Sequence, residues 1–328
     1  MKAWLLDRIG DGVDSLRLAE IPDPTPAADE AIVSVEYAAL NPADRYLAEG
    51  QYPAKPALPH ILGRDGIGTI EAVGTNVTQF KPGDRAVILR SEIGVNRAGT
   101  FATKVAVPVE SLVPPPPGWT DEQSAGAALV YLTAYQAITQ WNDLPPASVV
   151  LITGASGGVG VASTQLAAAM GHLPVALSRS DRKRATLETL GANIALDPED
   201  AEWPAQLKSS LTGRKVDLAI DNIGGPLFND VLGTLGYHGR ISVVGRLAGP
   251  VPQFNTASLF FRRIKIGGVA VGTYTAVQSR AAWEKIVGIL GRAGAKPQVD
   301  STFAFDQLKE AFARLEQGPM GKVLLTLR

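Results

Sequence analysis

No cysteine occurs among the 328 residues. That absence excludes disulfides, a thiolate nucleophile and any zinc site built on cysteine. It fits a reducing compartment, and the chain is read as cytoplasmic. Histidine is almost as scarce. His60, His172 and His238 lie far apart, and each is read as a surface or loop residue rather than a metal ligand. An excess of one charge is also missing: 31 Lys and Arg stand against 32 Asp and Glu, so neither nucleic acid nor an anionic membrane is an expected partner. Uninterrupted apolar runs of about 18 residues, long enough for a membrane span, do not occur. Residues 1–12 lack the long apolar core of a signal peptide.

What is present is a globular composition, 45% hydrophobic and 19% charged. The length suggests two domains. Up to residue 118 the chain reads as short β-rich runs (1–8, 31–39, 66–73, 85–89 and 101–107) separated by Pro, Gly, Asp and Asn, the pattern of a small antiparallel barrel-like domain. Prolines 114–117 read as a linker. From about residue 120 strands and helices alternate. A helical stretch at 121–139 precedes an apolar strand at 149–153, then helix 158–170, strand 174–177 and helix 181–190, capped by Ser180 and ended by Gly191. Strands at 216–221 and 240–244 flank a helix at 226–235. This alternation predicts an α/β fold with a parallel, doubly wound sheet, with residues 263–271 as its last strand. Helices at 281–290 and 305–317 and a strand at 322–327 complete the chain.

Residues 149–171 read VVLITGASGGVGVASTQLAAAMG. Gly154, Gly157 and Gly160 stand three apart, with Gly158 between them, after a buried strand and at the start of a helix. The first glycine permits a tight turn, and the middle ones let the backbone approach a pyrophosphate, favoured there by free N–H groups and the positive helix end. Gly160 lets helix and strand pack closely. Ser156 and Val159 belong to the same turn. Glycines also serve plain turns, but the strand–turn–helix context and the βα units that follow favour a dinucleotide. An Asp or Glu about 20 residues past the glycines would hold the ribose 2′-hydroxyl of NADH. Here that place reads Leu177-Ser178-Arg179-Ser180, followed by Arg182 and Lys183. The Arg179 guanidinium suits a 2′-phosphate, so NADPH is expected. A solvated basic helix start is the competing reading, although basic residues there oppose the helix dipole.

Several motifs share an order. They are Asn41-Pro42-Ala43-Asp44, Gly63-Arg64-Asp65-Gly66-Ile67-Gly68-Thr69-Ile70-Glu71-Ala72-Val73-Gly74, Lys81-Pro82-Gly83-Asp84-Arg85, Tyr131-Leu132-Thr133-Ala134-Tyr135, the GASGGVG turn and Gly321-Lys322-Val323. Together they resemble the medium-chain dehydrogenase/reductase superfamily. Within it they are most similar to the zinc-independent NADPH:quinone oxidoreductase-like branch, which borders on the 2-enoyl thioester reductases. The resemblance covers essentially the whole chain. It implies a Rossmann doubly wound parallel sheet plus a GroES-like β-rich catalytic domain. The catalytic domain would span 1–118 and return at 271–328, the NADPH-binding Rossmann domain would span 119–270, and the active site would lie in the cleft. It also implies a homodimer joined through Rossmann edge strands, with 263–271 as the candidate edge. Zinc-dependent members carry Gly-His-Glu where this chain has Gly63-Arg64-Asp65, and they need cysteine ligands, so no zinc is expected.

The resemblance nominates residues as well. Asn41 would lie beside the nicotinamide, its alternative being an Asn-Pro turn, and Asp44 shares its motif. Tyr52 takes the place of the active-site tyrosine of enoyl thioester reductases; the alternative is a loop tyrosine lining the cleft, and Tyr46 competes with it. A phenol ordinarily stays protonated at neutral pH and can donate a proton. Tyr131 and Thr133 would face substrate and cofactor, or simply pack in their helix. Asp221-Asn222-Ile223-Gly224-Gly225 would lie along the nicotinamide ribose, the alternative being that its glycines simply turn the chain. Gly245 and Arg246 follow a strand end, where ligands bind in such sheets, so Arg246 would touch phosphate or substrate; the alternative is a surface arginine. Phe260, near Phe254 and Phe261, could line a substrate pocket or serve core or dimer packing. The expected activity is reduction of a quinone or an α,β-unsaturated carbonyl, a small-molecule electron acceptor, by hydride transfer. The alternatives are a 2-enoyl thioester reductase and an NADPH-binding redox sensor without turnover.

Overall fold

The structure is a computed structural model and describes residues 1–89, 92–249 and 254–328. It contains two compact units. One comprises Met1–Leu129, Gly272–Trp283 and Pro297–Arg328, the other Val130–Val271 and Glu284–Lys296.

The first unit begins with an antiparallel pair, β1 (Lys2–Leu5) and β2 (Arg17–Glu20). It continues through β3 (Glu30–Ala39), β4 (Asp65–Val73), β5 (Arg85–Ile88), β6 (Lys104–Pro108) and β7 (Leu112–Val113). β3 is the organising strand, because it pairs antiparallel with both β4 and β6 and is buried along most of its length. Where β3 and β4 press together only glycine fits: a Cβ on Gly68 would lie 2.0 Å from the Ser34 carbonyl oxygen. Between β3 and β4 stands the short helix α1 (Pro42–Ala48). Asn41 is extended, Pro42 supplies a preset first turn, and the Asp44 carboxylate accepts the Asn41 N–H at 2.9 Å. Helix α2 (Asp121–Ala125) is capped by Thr120 and Gln123, which exchange side-chain and backbone bonds. Gly126 closes it, so the helical stretch expected over 121–139 is two helices.

The second unit runs α3 (Ala128–Thr139), β8 (Val149–Ile152), α4 (Gly158–Ala169), β9 (Leu173–Leu177), α5 (Asp181–Thr189), β10 (Ile194–Leu196), α6 (Trp203–Ser210), β11 (Val216–Asp221), α7 (Leu227–Thr234), β12 (Leu235–Val243), α8 (Ala257–Arg262) and β13 (Lys265–Gly268). Its six strands are all parallel, in the order β10-β9-β8-β11-β12-β13. The order reverses between β8 and β11, which opens a binding crevice at the carboxyl ends of the central strands. All four β8 residues are buried, as a strand covered on both faces requires. Trp203, Leu207, Phe228 and Val231 cover one face of the sheet and pack on Val149, Leu151, Val175 and Ala219.

The chain then adds α9 (Ala276–Ala293), β14 (Val299–Ala304), α10 (Leu308–Glu316) and β15 (Lys322–Thr326). β15 joins β3 antiparallel, giving a seven-stranded sheet ordered β14-β15-β3-β4-β5-β7, with β6 also on β3.

Three expectations are corrected. Prolines 114–117 are not a linker. They lie inside the first unit, whose boundary falls after Leu129 rather than 118, because β7 is paired to β5 just before them and α2 packs on β3 and β4 just after. The return segment is likewise divided, since Glu284–Lys296 belongs to the second unit. The Ser180 side chain makes no capping bond to α5. Among the described residues no helix is long and apolar enough to cross a membrane.

Candidate active site and cofactor turn

In the first unit a buried polar cluster forms where β4, α1 and β15 meet. Asp65, the first residue of β4, is 1% exposed. Its Oδ1 accepts the Leu129 N–H at 3.0 Å. Its Oδ2 accepts the Asn41 Nδ2 at 3.0 Å and faces the Lys322 ammonium at 3.4 Å. Lys322 Nζ also donates to Asn41 Oδ1 at 2.6 Å and to the Leu40 carbonyl at 2.8 Å. Burial pushes the Lys322 ammonium down from its usual range, and the carboxylates of Asp65 and Asp44 oppose that.

A second buried ion pair adjoins it through α1. Arg64 Nε donates to Asp44 Oδ1 at 3.1 Å, and Arg64 Nη2 donates to the Ala43 carbonyl at 3.1 Å. Burial pushes the Asp44 carboxyl up against the pull of Arg64 and the Asn41 N–H. Burial alone would lower Arg64, but Asp44 and the Tyr52 phenol outweigh it, so the guanidinium is held above its ordinary range. Its carbon sits 4.4 Å from the centre of the Tyr52 ring, a cation–π contact. Tyr52 itself is half-buried against the core of the unit.

The structure thus brings Asn41, Asp44 and Tyr52 together, and adds Arg64, Asp65 and Lys322. Tyr46 turns aside to the Arg45 guanidinium, 5.6 Å from its ring centre. Asn41 is 3% exposed and its amide is engaged by Asp65 and Lys322. His60 corrects the surface reading. It is 4% exposed, its Nε2 has no partner among the described residues, and burial together with the Arg64 charge lowers it below the usual histidine range.

In the second unit the glycine turn joins β8 to α4. Gly154 has φ +57°, open to glycine without strain. A Cβ on Gly160 would lie 2.3 Å from the Gly154 carbonyl oxygen, so the helix start is locked against the turn. Gly157 is different, because a Cβ there would meet nothing nearer than 3.5 Å. Ser156, Gly157, Gly158 and Val159 are all half-exposed, leaving the turn open over the free N–H groups of the first turn of α4.

Asp221 and Asn222, at the end of β11, lean over the same turn. Thr153 Oγ1 donates to Asp221 Oδ1 at 2.8 Å, and Asn222 Nδ2 donates to the Thr153 carbonyl at 2.8 Å. Asp221 Oδ2 and Asn222 Oδ1 are buried without a hydrogen-bond partner among the described residues. Orphaned acceptors beside an open anion cradle are what the hydroxyl donors of a dinucleotide ribose would satisfy. Gly245 follows β12 and its N–H donates to the Asp221 carbonyl at 3.2 Å. Ser178 is buried at the end of β9, whereas Arg179 beside it is exposed and pairs with Glu199 at 3.5 Å. Lys183 is half-exposed on α5 and Arg246 is exposed after β12.

Two nominated residues stand elsewhere. Tyr131 is 2% exposed and its hydroxyl donates to Gln165 Oε1 of α4. It packs the second unit rather than facing substrate. Thr133, two residues on, is half-buried. Phe260 is 64% exposed and Phe261 73%, so neither serves the core, whereas Phe254 packs on Phe228 at 5.7 Å between ring centres.

Two family models match this chain. Residues 27–117 match the alcohol dehydrogenase GroES-like domain, and residues 158–289 match the zinc-binding dehydrogenase domain. The chain belongs to the medium-chain dehydrogenase/reductase superfamily, in its quinone oxidoreductase-like branch. It is similar over 94% of its length, at 28% identity, to acryloyl-coenzyme A reductase of Sulfurisphaera tokodaii, of which it covers 96%. It is 28% identical over 96% of its length to the quinone oxidoreductase of Rattus norvegicus, covering 95% of that protein. The crystal structure of an NAD-dependent alcohol dehydrogenase superposes over the full length of both chains with a TM-score of 0.92 and 29% identity. The protein is therefore an oxidoreductase of a family that uses a nicotinamide cofactor.

Proposed function

We propose that this protein is a zinc-independent, NADPH-dependent reductase of quinones or α,β-unsaturated carbonyl compounds. One observation carries the reading. Where zinc-dependent relatives have Gly-His-Glu, this chain has Gly63-Arg64-Asp65, and both side chains are already committed: Asp65 to Lys322 and Asn41, Arg64 to Asp44. With no cysteine in the sequence, the donor set for a zinc site is missing, and the same space is filled by a self-neutralising charge network. A conjugated acceptor suits such a site. Hydride addition to its electron-poor carbon places charge on a carbonyl oxygen that hydrogen-bond donors can hold. The relatives named quinone oxidoreductase and acryloyl-coenzyme A reductase support the same substrate class.

A reduced nicotinamide supplies the hydride when bound. The residues that would hold it are Gly154, Ser156, Gly157, Gly158, Val159 and Gly160 on the pyrophosphate, and Asn222 and Gly245 along the ribose. Ser178, Arg179 and Lys183 would meet the adenosine 2′-phosphate. Among the described residues Arg179 pairs with Glu199 at the surface, a partner that a phosphate can displace. Thr133 and Arg246 remain candidates for the outer contacts. In the first unit Tyr52 donates the proton, and Asn41 and Asp44 hold the loop that carries it. The acryloyl-coenzyme A reductase relative favours one second reading, a 2-enoyl thioester reductase.

We also propose a homodimer through β13, an edge strand of the six-stranded sheet, with Ile266 on it 40% exposed and Phe260 and Phe261 exposed just before it. No macromolecule of another kind and no membrane is needed, and a cytoplasmic setting fits the cysteine-free chain.

The test is consumption of NADPH with a quinone, an enone and an enoyl-CoA, each with and without EDTA. Turnover that survives the chelator is expected. Silence with all three acceptors leaves a non-catalytic sensor. Loss on chelation, restored by zinc, removes the metal-free mechanism. Arg179→Glu should weaken NADPH about tenfold or more, the loss of one charge-assisted contact, while NADH is little changed. Equal weakening of both takes Arg179 off the 2′-phosphate.

A further inference from the structure

Among its described residues the first unit holds two nearly buried cations, and they are not equivalent. An ammonium has three donors. Lys322 spends them on Leu40 O, Asn41 Oδ1 and Asp65 Oδ2, so it is a closed structural charge. A guanidinium has five donors in a fixed fork. Arg64 gives Nε–H to Asp44 and an Nη2–H to Ala43, and its guanidinium is also hydrogen-bonded to the Tyr52 side chain. These three partners leave part of the five-donor fork unspent, on a side chain that is 9% exposed. Unspent donors on a fixed fork are what an incoming carbonyl oxygen would engage. The ring of Tyr52, the proposed proton donor, lies against the same guanidinium.

We propose that Arg64 is a catalytic residue. Its guanidinium, aimed by Asp44 and backed by the Tyr52 ring, donates to the carbonyl oxygen of the acceptor and takes up the negative charge that grows there during hydride transfer. Arg64 so replaces a Lewis acid with a fixed organic cation. This rests on the reductase reading above.

The balance is simple. The β-carbon of an enone gains a hydride, which brings two electrons. The C=C pair shifts toward the carbonyl carbon, and the C=O π pair moves onto oxygen as an enolate held by Arg64. A proton from Tyr52, or from water through it, then reaches the α-carbon, the C=O re-forms, and the nicotinamide is left oxidised. A quinone takes the same hydride and one proton and leaves as the hydroquinone. Because the guanidinium stays protonated, held above its ordinary range, it stabilises the oxyanion without consuming a proton. The site is largely shielded from water, which strengthens the interaction.

The experiment is Arg64→Ala, assayed with a quinone and an enone, with NADPH affinity followed by fluorescence titration. The expected result is a loss in kcat of about 10²–10³-fold, as for removal of a single oxyanion donor. NADPH affinity should be unchanged, and millimolar guanidinium should recover part of the rate while ammonium at the same concentration does not. A merely structural arginine would give no guanidinium-specific rescue. An active Arg64→Ala enzyme, or a lost rate that guanidinium leaves untouched, overturns the proposal. If Arg64→Ala leaves Asp44 too unstable to fold around, Asp44→Asn/Arg64→Ala removes both charges, and the same two readouts decide. A wild-type protein that reduces no acceptor would instead overturn the reductase reading itself.

Discussion

Tyr52 is half-buried, stacked under the Arg64 guanidinium and hydrogen-bonded to it, an arrangement that fixes its ring. Tyr52→Phe keeps the ring and the cation–π contact and removes only the O–H. It should lower kcat by about 10²-fold or more, the usual worth of a positioned general acid. Affinity for NADPH and the thermal midpoint should stay as in the wild type. A rate constant equal to the wild type in a stopped-flow assay would make the phenol a wall of the site and pass the proton to solvent. The residue scale is also where the sequence was least readable. Gly321-Lys322-Val323 stood out as a motif, but nothing local says that Lys322 neutralises Asp65, which lies 257 positions away. Arg64 stood out only for the histidine it replaces. Its partner Asp44 and its stacking on Tyr52 are products of tertiary folding. Tyr131 read as a site residue because it heads a motif, yet burial and Gln165 claim it. His60 read as a surface residue because a lone histidine carries no pattern.

At the scale of elements the glycine turn shows what a sequence does reveal. Its strand, turn and helix are contiguous, so the local pattern contains the whole object. Two glycines of the turn have separable jobs. Gly160→Ala drives a methyl into the Gly154 carbonyl and should destabilise the fold by about 1–3 kcal/mol, read as a lower thermal midpoint. Gly157→Ala has room for its methyl and should melt like the wild type, but it puts that methyl where a pyrophosphate would approach, and so should weaken NADPH binding. NADPH titration and melting of both variants check this, and Gly157→Ala binding NADPH normally would move the pyrophosphate off that turn. Elements outside such contiguous patterns escaped notice. β10 is three half-buried residues, α1 is seven residues opened by an Asn-Pro pair that reads equally as a turn, and the exposed alternation of β14 is too weak to mark a strand. β13 was placed correctly, but its strand is shorter than 263–271 because α8 runs to Arg262 and Arg263 takes a left-handed conformation that ends it.

At the scale of the whole molecule, alternation of strand and helix was enough to foresee a parallel doubly wound sheet, and the observed order reverses between β8 and β11 as that topology requires. The edge at β13 carries the prediction that belongs here. An open parallel edge flanked by Phe260, Phe261 and Ile266 is a surface a second copy would cover. Ile266→Lys with Phe261→Asp should convert a dimer to single chains in sedimentation velocity while leaving cofactor affinity intact. A wild-type protein that already sediments as a single chain removes the dimer.

The bond from Lys322 to the Leu40 carbonyl spans 282 positions and has an implication for biosynthesis. β15 is the last strand laid into the sheet that holds Asp65 and Asn41. The six-stranded unit and its cofactor turn, by contrast, are nearly complete once residue 271 has emerged. A nascent chain can therefore assemble its glycine turn while the Asp65 carboxylate still lacks the Lys322 ammonium beside it. Closure of the buried charge cluster is therefore a late event in synthesis, completed once β15 has been made.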